Sequence, residues 1–167
     1  MNKSNLQKQI AHYVIENKER HYSLAYSYVK NVDDALDIVQ ESIYKAIRSM
    51  DSLKNSDNIK TWFYKIVVNT SLDFLRTRNK LVLFENEALY DNNLQTVDSY
   101  QDFDLKSALE LLPDDYRSII VLRYFEDLKI EEIAQILNQN VNTVKTHLYK
   151  SLEKLRIKMD VEIGEDL

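Results

Sequence analysis

A chain of 167 residues with 44% hydrophobic side chains can form one ordinary domain or two small ones, and its single glycine and single proline argue against sheets and hairpins, whose turns need residues of positive φ. The lack of cysteine excludes disulfides and thiolate metal sites, and it suits a reducing cytoplasm. A formal charge of −5 argues against nucleic acid only superficially, because attraction to phosphate depends on the local patch more than on the total.

These limits predict an all-α fold of two small helical domains joined by a flexible linker. The first unit, residues 1–80, carries 13 Lys/Arg against 9 Asp/Glu. Its opening, MNKSNLQKQIAHYV, has no long apolar core, so no secretory signal is expected. Apolar residues recur at helical spacing from Leu6 through Ile10 and Val14 to Tyr22, Leu24, Ala25, Tyr28 and Val29. Asn31 can cap the next helix, with Asp33 and Asp34 near the positive end of its dipole. Leu36, Val39, Ile43, Ile47 and Met50 are expected on the buried face of that helix. Asp37 and Glu41 stand i, i+4 on its polar face with Gln40 beside them, and like charges at that spacing weaken an isolated helix by about 0.2–0.5 kcal/mol. A basic partner would reverse the penalty; an ordinary solvated acidic face would also account for the pattern. The polar loop DSLKNSDN follows, and then a helix from about Ile59 to Lys80.

Residues 81–104 contain no Lys or Arg and six acids, and they break the helical period. They read as an acidic linker, a solvated flexible tether on composition alone. The second unit, residues 105–163, begins with a short helix, LKSALELL, before Pro113. Pro113 can open the next helix, DDYRSIIVLRYFE. The stretch SIIVL within it is far too short to span a bilayer, so no membrane insertion is expected.

Residues 129–158 predict a helix-turn-helix. Ile130, Ile133, Ala134 and Leu137 form the inner face of its first helix; Val141, Val144, Leu148, Leu152 and Leu155 form that of the second. Asn138 stands where the turn needs a left-handed residue, and Asn140 is a natural N-cap. That leaves Asn142, Thr143, Lys145, Thr146, His147, Tyr149 and Lys150 facing outward. Asn and Thr can read base edges, and Lys and protonated His can hold phosphates. A helical hairpin with a solvated polar face is the rival for this pattern alone. Residues 138–158 hold five basic residues and one acid, and the tail from Val161 is acidic again.

LPDDYRSIIVLRYFEDLKIEEIAQILNQNVNTVKTHLYKSLEKLR resembles region 4 of bacterial sigma factors, and YSLAYSYVKNVDDALDIVQESIYKAI with WFYKIVVNTSLDFLRTRNK resembles region 2. Region 2 joined to region 4 by a short linker is the layout of the extracytoplasmic-function, or group 4, sigma factors of the sigma-70 family. The resemblance covers nearly the whole chain. It implies a cytoplasmic alternative sigma factor that directs promoter-specific initiation in an envelope or extracytoplasmic stress response. It implies three partners: core RNA polymerase (β′ coiled coil and β flap), promoter DNA, and an anti-sigma factor, soluble or membrane-anchored. It assigns −35 recognition to the outward residues of the last helix, and β′ binding to Asp34, Asp37, Gln40 and Glu41. It suggests Lys54, Asn55 and Ser56 as a pocket for a flipped base, with Trp62, Tyr64, Lys65, Asn69 and Arg76 along the melted −10 strand. At helical spacing either Trp62 or Phe63 can equally be core, which makes Tyr64 and Lys65 the better surface candidates.

Three features depart from the family pattern. Asn138 replaces a usual glycine, Gln139 a frequent apolar residue, and His147 a frequent arginine, so the −35 base preference is not carried over. No enzyme activity or cofactor is expected: His12, His21 and His147 lie far apart, and Gly164, the lone glycine, makes no phosphate loop. The rival function is a stand-alone helix-turn-helix regulator that binds palindromic duplex DNA as a dimer.

Overall fold

The computed structural model describes residues 2–88 and 108–165. Every regular element among them is helical. The chain divides into two compact units, the first carrying α1–α4 and the second α5, the greater part of α6, and α7.

In the first unit, α1 (Lys3–Glu16) starts on Asn2, whose Oδ1 accepts from the Ser4 amide at 3.1 Å. The apolar run from Leu6 to Val29 is two helices, because Asn17 intervenes. Both its backbone amide and its Nδ2 donate to the Tyr13 carbonyl, which closes α1 there. The second helix, α2 (Lys18–Val29), ends at Lys30 with φ 56°. Asn31 then caps α3 (Val32–Arg48) through the Asp34 amide, 3.0 Å away, as its sequence position suggested. Two single 3₁₀ turns, Met50–Ser52 and Ser56–Asn58, lead into α4 (Ile59–Ala88).

The α4 helix runs eight residues beyond the expected end at Lys80. Leu81, Val82 and Leu83 are exposed. Those three side chains bury into no core, so the amphipathic period fails there, while Leu, Glu and Ala still favour helix. Residues 89–104 of the expected linker lie outside the described residues. The central helix α4 packs against both α2 and α3. Leu24, Tyr28, Ile38, Phe63, Val67 and Val68 fill that core. Ser42 and Ser71 are buried within it and are satisfied by the carbonyls one turn back, at Ile38 and Val67.

In the second unit, a helical turn at residues 108–110 precedes Pro113, which stands at the N-cap of α5 (Asp114–Ile120) with Asp114 and Asp115 in the first turn. A π-helical turn, Val121–Phe125, continues α5. Asp127 then turns the chain with φ 54°, and the Arg123 Nη1 donates to the Leu128 carbonyl at 2.9 Å. Leu128 is fully buried, an anchor worth about 2 kcal/mol. The Glu132 carboxylate accepts from the Lys129 amide at 3.1 Å, half a capping box, at the start of α6 (Ile130–Leu137). The last helix, α7 (Val141–Glu165), packs on α5.

Candidate nucleic-acid interface

The turn between α6 and α7 is built locally. Asn138 takes φ 53°, the left-handed conformation its position demanded. The Gln139 amide closes back on Ala134 at 2.9 Å, and the Asn140 Oδ1 accepts from the Asn142 amide at 2.8 Å. Val144, Leu148, Ser151 and Leu155 are buried. Leu152, expected inside, is exposed. Ser151 takes the inner position, its hydroxyl donating to the His147 carbonyl at 2.6 Å and lying 3.5 Å from the Tyr116 carbonyl of α5. The small side chain lets the α7 backbone lie close to α5.

Asn142, Thr143, Lys145, Thr146, Tyr149 and Lys150 are all exposed on α7. The Thr146 hydroxyl donates back to the Asn142 carbonyl at 2.9 Å, leaving its methyl and an oxygen lone pair outward. His147 differs from the fully outward position expected of it. Its ring is half-buried against Tyr116, with centroids 4.8 Å apart. Its Nδ1 is buried without a hydrogen-bond partner, while Lys154 stands over the same Tyr116 ring at 4.9 Å. An aromatic neighbour on α5, invisible from the α7 sequence alone, draws the imidazole inward.

In the first unit, Lys54 and Asn55 are exposed and Ser56 is half-buried. The Asn55 Oδ1 is occupied by the Asp57 amide at 3.0 Å, which shapes the loop. Leu53 anchors the loop in a cluster with Leu6 and Ile10 of α1, Met50 and Ile59, and Trp62 packs against that cluster. The indole of Trp62 is half-buried and donates to the Ser52 Oγ at 3.3 Å. Tyr64 is not a surface residue: it and Phe63 are 0% exposed. The buried arc of α4 is wide, since the helix packs on two neighbours, and it takes in both adjacent positions. Lys65, Asn69 and Arg76 are exposed on the opposite side. Arg76 pairs with Asp73 at 3.1 Å, so part of its charge is already answered.

Behind this surface lies a group the sequence did not single out. His21 is 1% exposed, ringed by Tyr13, Phe63 and Tyr64, and shares a 3.1 Å hydrogen bond with the Tyr13 hydroxyl through Nε2. Burial, aided by the Arg20 charge, lowers its pKa from 6.5 to about 4. It is a neutral core histidine. Among the described residues no group of His, Asp and Glu could hold a metal ion.

On α3, Asp37, Gln40 and Glu41 are exposed. Asp34 is not free in the same way: its carboxylate lies 3.8 Å from Arg78, whose Nη1 also donates to the Val29 carbonyl at 3.1 Å. The apolar face of this helix corrects the sequence reading. Ala35, Ile38, Val39 and Ala46 are inside, whereas Leu36 and Ile47, expected there, are 43% and 59% exposed. With Val32 they form a second apolar stripe, uncovered in this structure and bordering the acids. The sequence contained the signal: apolar residues occupy more of the α3 circumference than one neighbouring interface uses.

Comparison with known proteins agrees with both blocks. Residues 14–81 match the family model described as Sigma-70 region 2, and residues 102–155 that described as Sigma-70, region 4. The RNA polymerase sigma factor SigV of Bacillus subtilis (strain 168) is 50% identical over 149 residues, covering 89% of this chain and 90% of that protein. The ECF RNA polymerase sigma factor SigW of the same organism is 33% identical over 154 residues, covering 83% and 82%. The sigma factor RpoE of Bartonella quintana, solved with the anti-sigma factor NepR, shares the fold with a TM-score of 0.73 at 23% identity, covering 92% of this chain and 98% of that one. CnrH, solved with the cytosolic domain of CnrY, does so with a TM-score of 0.69 at 21% identity, covering 93% and 90%. The chain belongs to the extracytoplasmic-function sigma factors of the sigma-70 family.

Proposed function

We propose that this sigma factor binds core RNA polymerase through the outer face of α3 and touches promoter DNA at two separate surfaces. One observation carries the first half: Asp37, Gln40 and Glu41 stand exposed beside the uncovered apolar stripe of Val32, Leu36 and Ile47. Such a face suits a basic amphipathic partner of the kind the β′ coiled coil offers, because apolar area supplies affinity and the acids supply register. Asp34 contributes by holding Arg78 and the start of α3, more than by direct contact.

The −35 surface is the outer side of α7, with Asn142, Thr143 and Thr146 toward base edges and Lys145, Tyr149, Lys150 and the half-buried His147 toward the backbone. The −10 surface is the Lys54–Ser56 loop with Trp62, Lys65, Asn69 and Arg76; Tyr64 supports it from the core. The second unit also meets the β flap. Bond making belongs to the polymerase, and this chain supplies recognition, acting in the cytoplasm. The presence of both sigma blocks leaves the stand-alone dimeric regulator without support. One structural neighbour is a complex with an anti-sigma factor, which supports a similar antagonist here, released under envelope stress.

The test is co-purification with core polymerase followed by run-off transcription. Asp37→Ala with Glu41→Ala lowers polymerase affinity about ten-fold and leaves the fold intact. Unchanged polymerase binding in that variant sinks the α3 assignment.

A further inference from the structure

His147 lies at the border of the buried side of α7, on one stripe with the exposed Thr143 and Lys150, which stand i−4 and i+3 from it. Its ring rests on Tyr116 of α5, with centroids 4.8 Å apart and planes at 45°. Tyr116 meets α7 at two further points. The Ser151 hydroxyl is 3.5 Å from its carbonyl, and the Lys154 ammonium stands 4.9 Å from its ring centroid. His147, Ser151 and Lys154 follow at i, i+4 and i+7, so one residue of α5 braces two turns of α7. The two nitrogens of the imidazole are not equivalent. Nδ1 is buried without a hydrogen-bond partner, whereas among the described residues Nε2 is neither buried nor hydrogen-bonded. A neutral imidazole carries one proton, on either nitrogen. On Nδ1 it would be a buried donor with no acceptor, the costlier of the two unsatisfied states. The proton of the neutral ring therefore sits on Nε2, and the outward edge of His147 is a hydrogen-bond donor.

We propose that His147 meets the −35 duplex as an uncharged donor, Nε2–H to a phosphate oxygen, and that Tyr116, outside the helix-turn-helix, is the positioning residue that selects this tautomer. The proposal deepens the −35 reading of α7 and rests on it. Phosphate is the acceptor because of where the ring lies. Asn142 and Thr146 stand opposite the buried Leu148 and Ser151, at the centre of the exposed face, where a helix in the major groove meets base edges. His147 stands at the flank of that face, where such a helix meets the backbone. A donor already held by its packing loses little freedom on binding. It also releases no counterion, unlike Lys145 and Lys150 on the same helix. His147 thus fixes the register of α7 on the duplex by direction, with no added charge.

The experiment has two readouts, both at about pH 8, where an imidazole is neutral. In the full chain, isotope-labelled at histidine, long-range proton–nitrogen correlation reads the tautomer of His147, assigned as the signal lost in His147→Gln. The Nε2–H pattern is expected, and Tyr116→Leu turns it into a mixture of both tautomers; an Nδ1–H pattern in wild type overturns the proposal. Holoenzyme reconstituted from this chain and core polymerase is then titrated with a promoter fragment carrying the −35 element, across a salt series. His147→Ala lowers affinity about five-fold, as does His147→Asn, whose amide reaches only the place of Nδ1. His147→Gln, whose amide reaches the place of Nε2, restores it. The log–log salt slope stays constant, whereas a charged contact would take about 0.9 from it; such a loss overturns the uncharged donor. Tyr116→Leu weakens binding in wild type but not in His147→Ala, and Tyr116→Phe restores what Tyr116→Leu loses. Fragments with a single methylphosphonate locate one position that weakens wild type and leaves His147→Ala unchanged. If a base-pair change does this instead, the acceptor is a base edge and the phosphate assignment is overturned. If the His147 variants all match wild type while Lys145→Ala with Lys150→Ala weakens binding, this proposal fails and the −35 reading of α7 stands. If neither weakens binding, that reading fails with it.

Discussion

Acidification destabilises the first unit through His21. The imidazole is 1% exposed and its pKa is lowered from 6.5 to about 4, so the unfolded chain takes up a proton that the folded chain resists. A depressed folded pKa on a base gives stability that is complete above about pH 6.5 and drains away as pH falls toward 4. The whole gap corresponds to roughly 3 kcal/mol, of which about 2 kcal/mol is already lost at pH 5. Carboxylates begin to titrate below that, so the comparison belongs between pH 7.5 and 5. Trp62 is the only tryptophan, and it packs against the Leu6–Ile10–Met50–Leu53–Ile59 cluster of the same unit. Its fluorescence therefore follows unfolding of this unit in the intact chain. For a urea dependence near 1 kcal/mol/M, the midpoint at pH 5 lies about 2 M below that at pH 7.5. His21→Phe keeps a ring among Tyr13, Phe63 and Tyr64 and removes the titration, so its two midpoints nearly coincide. If wild type and His21→Phe lose the same stability between these pH values, the burial argument is refuted.

Three further outcomes follow from the geometry. Asn138→Gly relieves the residual strain of φ 53° and raises the melting temperature of the second unit slightly, while Asn138→Val lowers its stability by about 1–2 kcal/mol; differential scanning calorimetry reads both. Leu53→Ala opens a hole under the candidate base pocket and costs about 2–4 kcal/mol by urea titration of Trp62 fluorescence. Open-complex formation, followed by permanganate footprinting, falls with it even where the unit remains folded; normal melting in that variant would mean that the loop needs no anchor from α1. Ile47→Asp, on an exposed site, leaves the urea midpoint within about 0.5 kcal/mol but weakens core polymerase binding in a pull-down, whereas Ile38→Asp, in the core, unfolds the unit.

Much of the molecule was legible from local chemistry. The near absence of glycine and proline gave all-helical architecture. Asn31, Asn138 and Asn140 act where their positions said they would, because a cap or a left-handed turn is decided by a few neighbouring backbone groups. Asn17 is less legible: the apolar pattern lapses from Glu16 to His21 with no turn residue such as glycine or proline to place the break, and the two hydrogen bonds that Asn17 donates to the Tyr13 carbonyl locate it.

The helix-turn-helix and the order of the two blocks were thus determined by the sequence itself. Tertiary packing alone decided which side of each helix is spent on the core. On α3 two apolar stripes compete, and the one that α2 and α4 cover is the Ala35–Ile38–Val39–Ala46 face, which leaves Leu36 and Ile47 exposed. On α4 contact with two helices buries Tyr64 and leaves Trp62 half outside. Tyr116 on α5 turns His147 inward, and Lys45 of α3 meets Thr70 of α4 across 25 positions of sequence. Periodicity gives the faces of a helix. Which face meets water depends on neighbours far away in sequence, whose approach is set by side-chain size and by the burial of rings and small serines at the crossings.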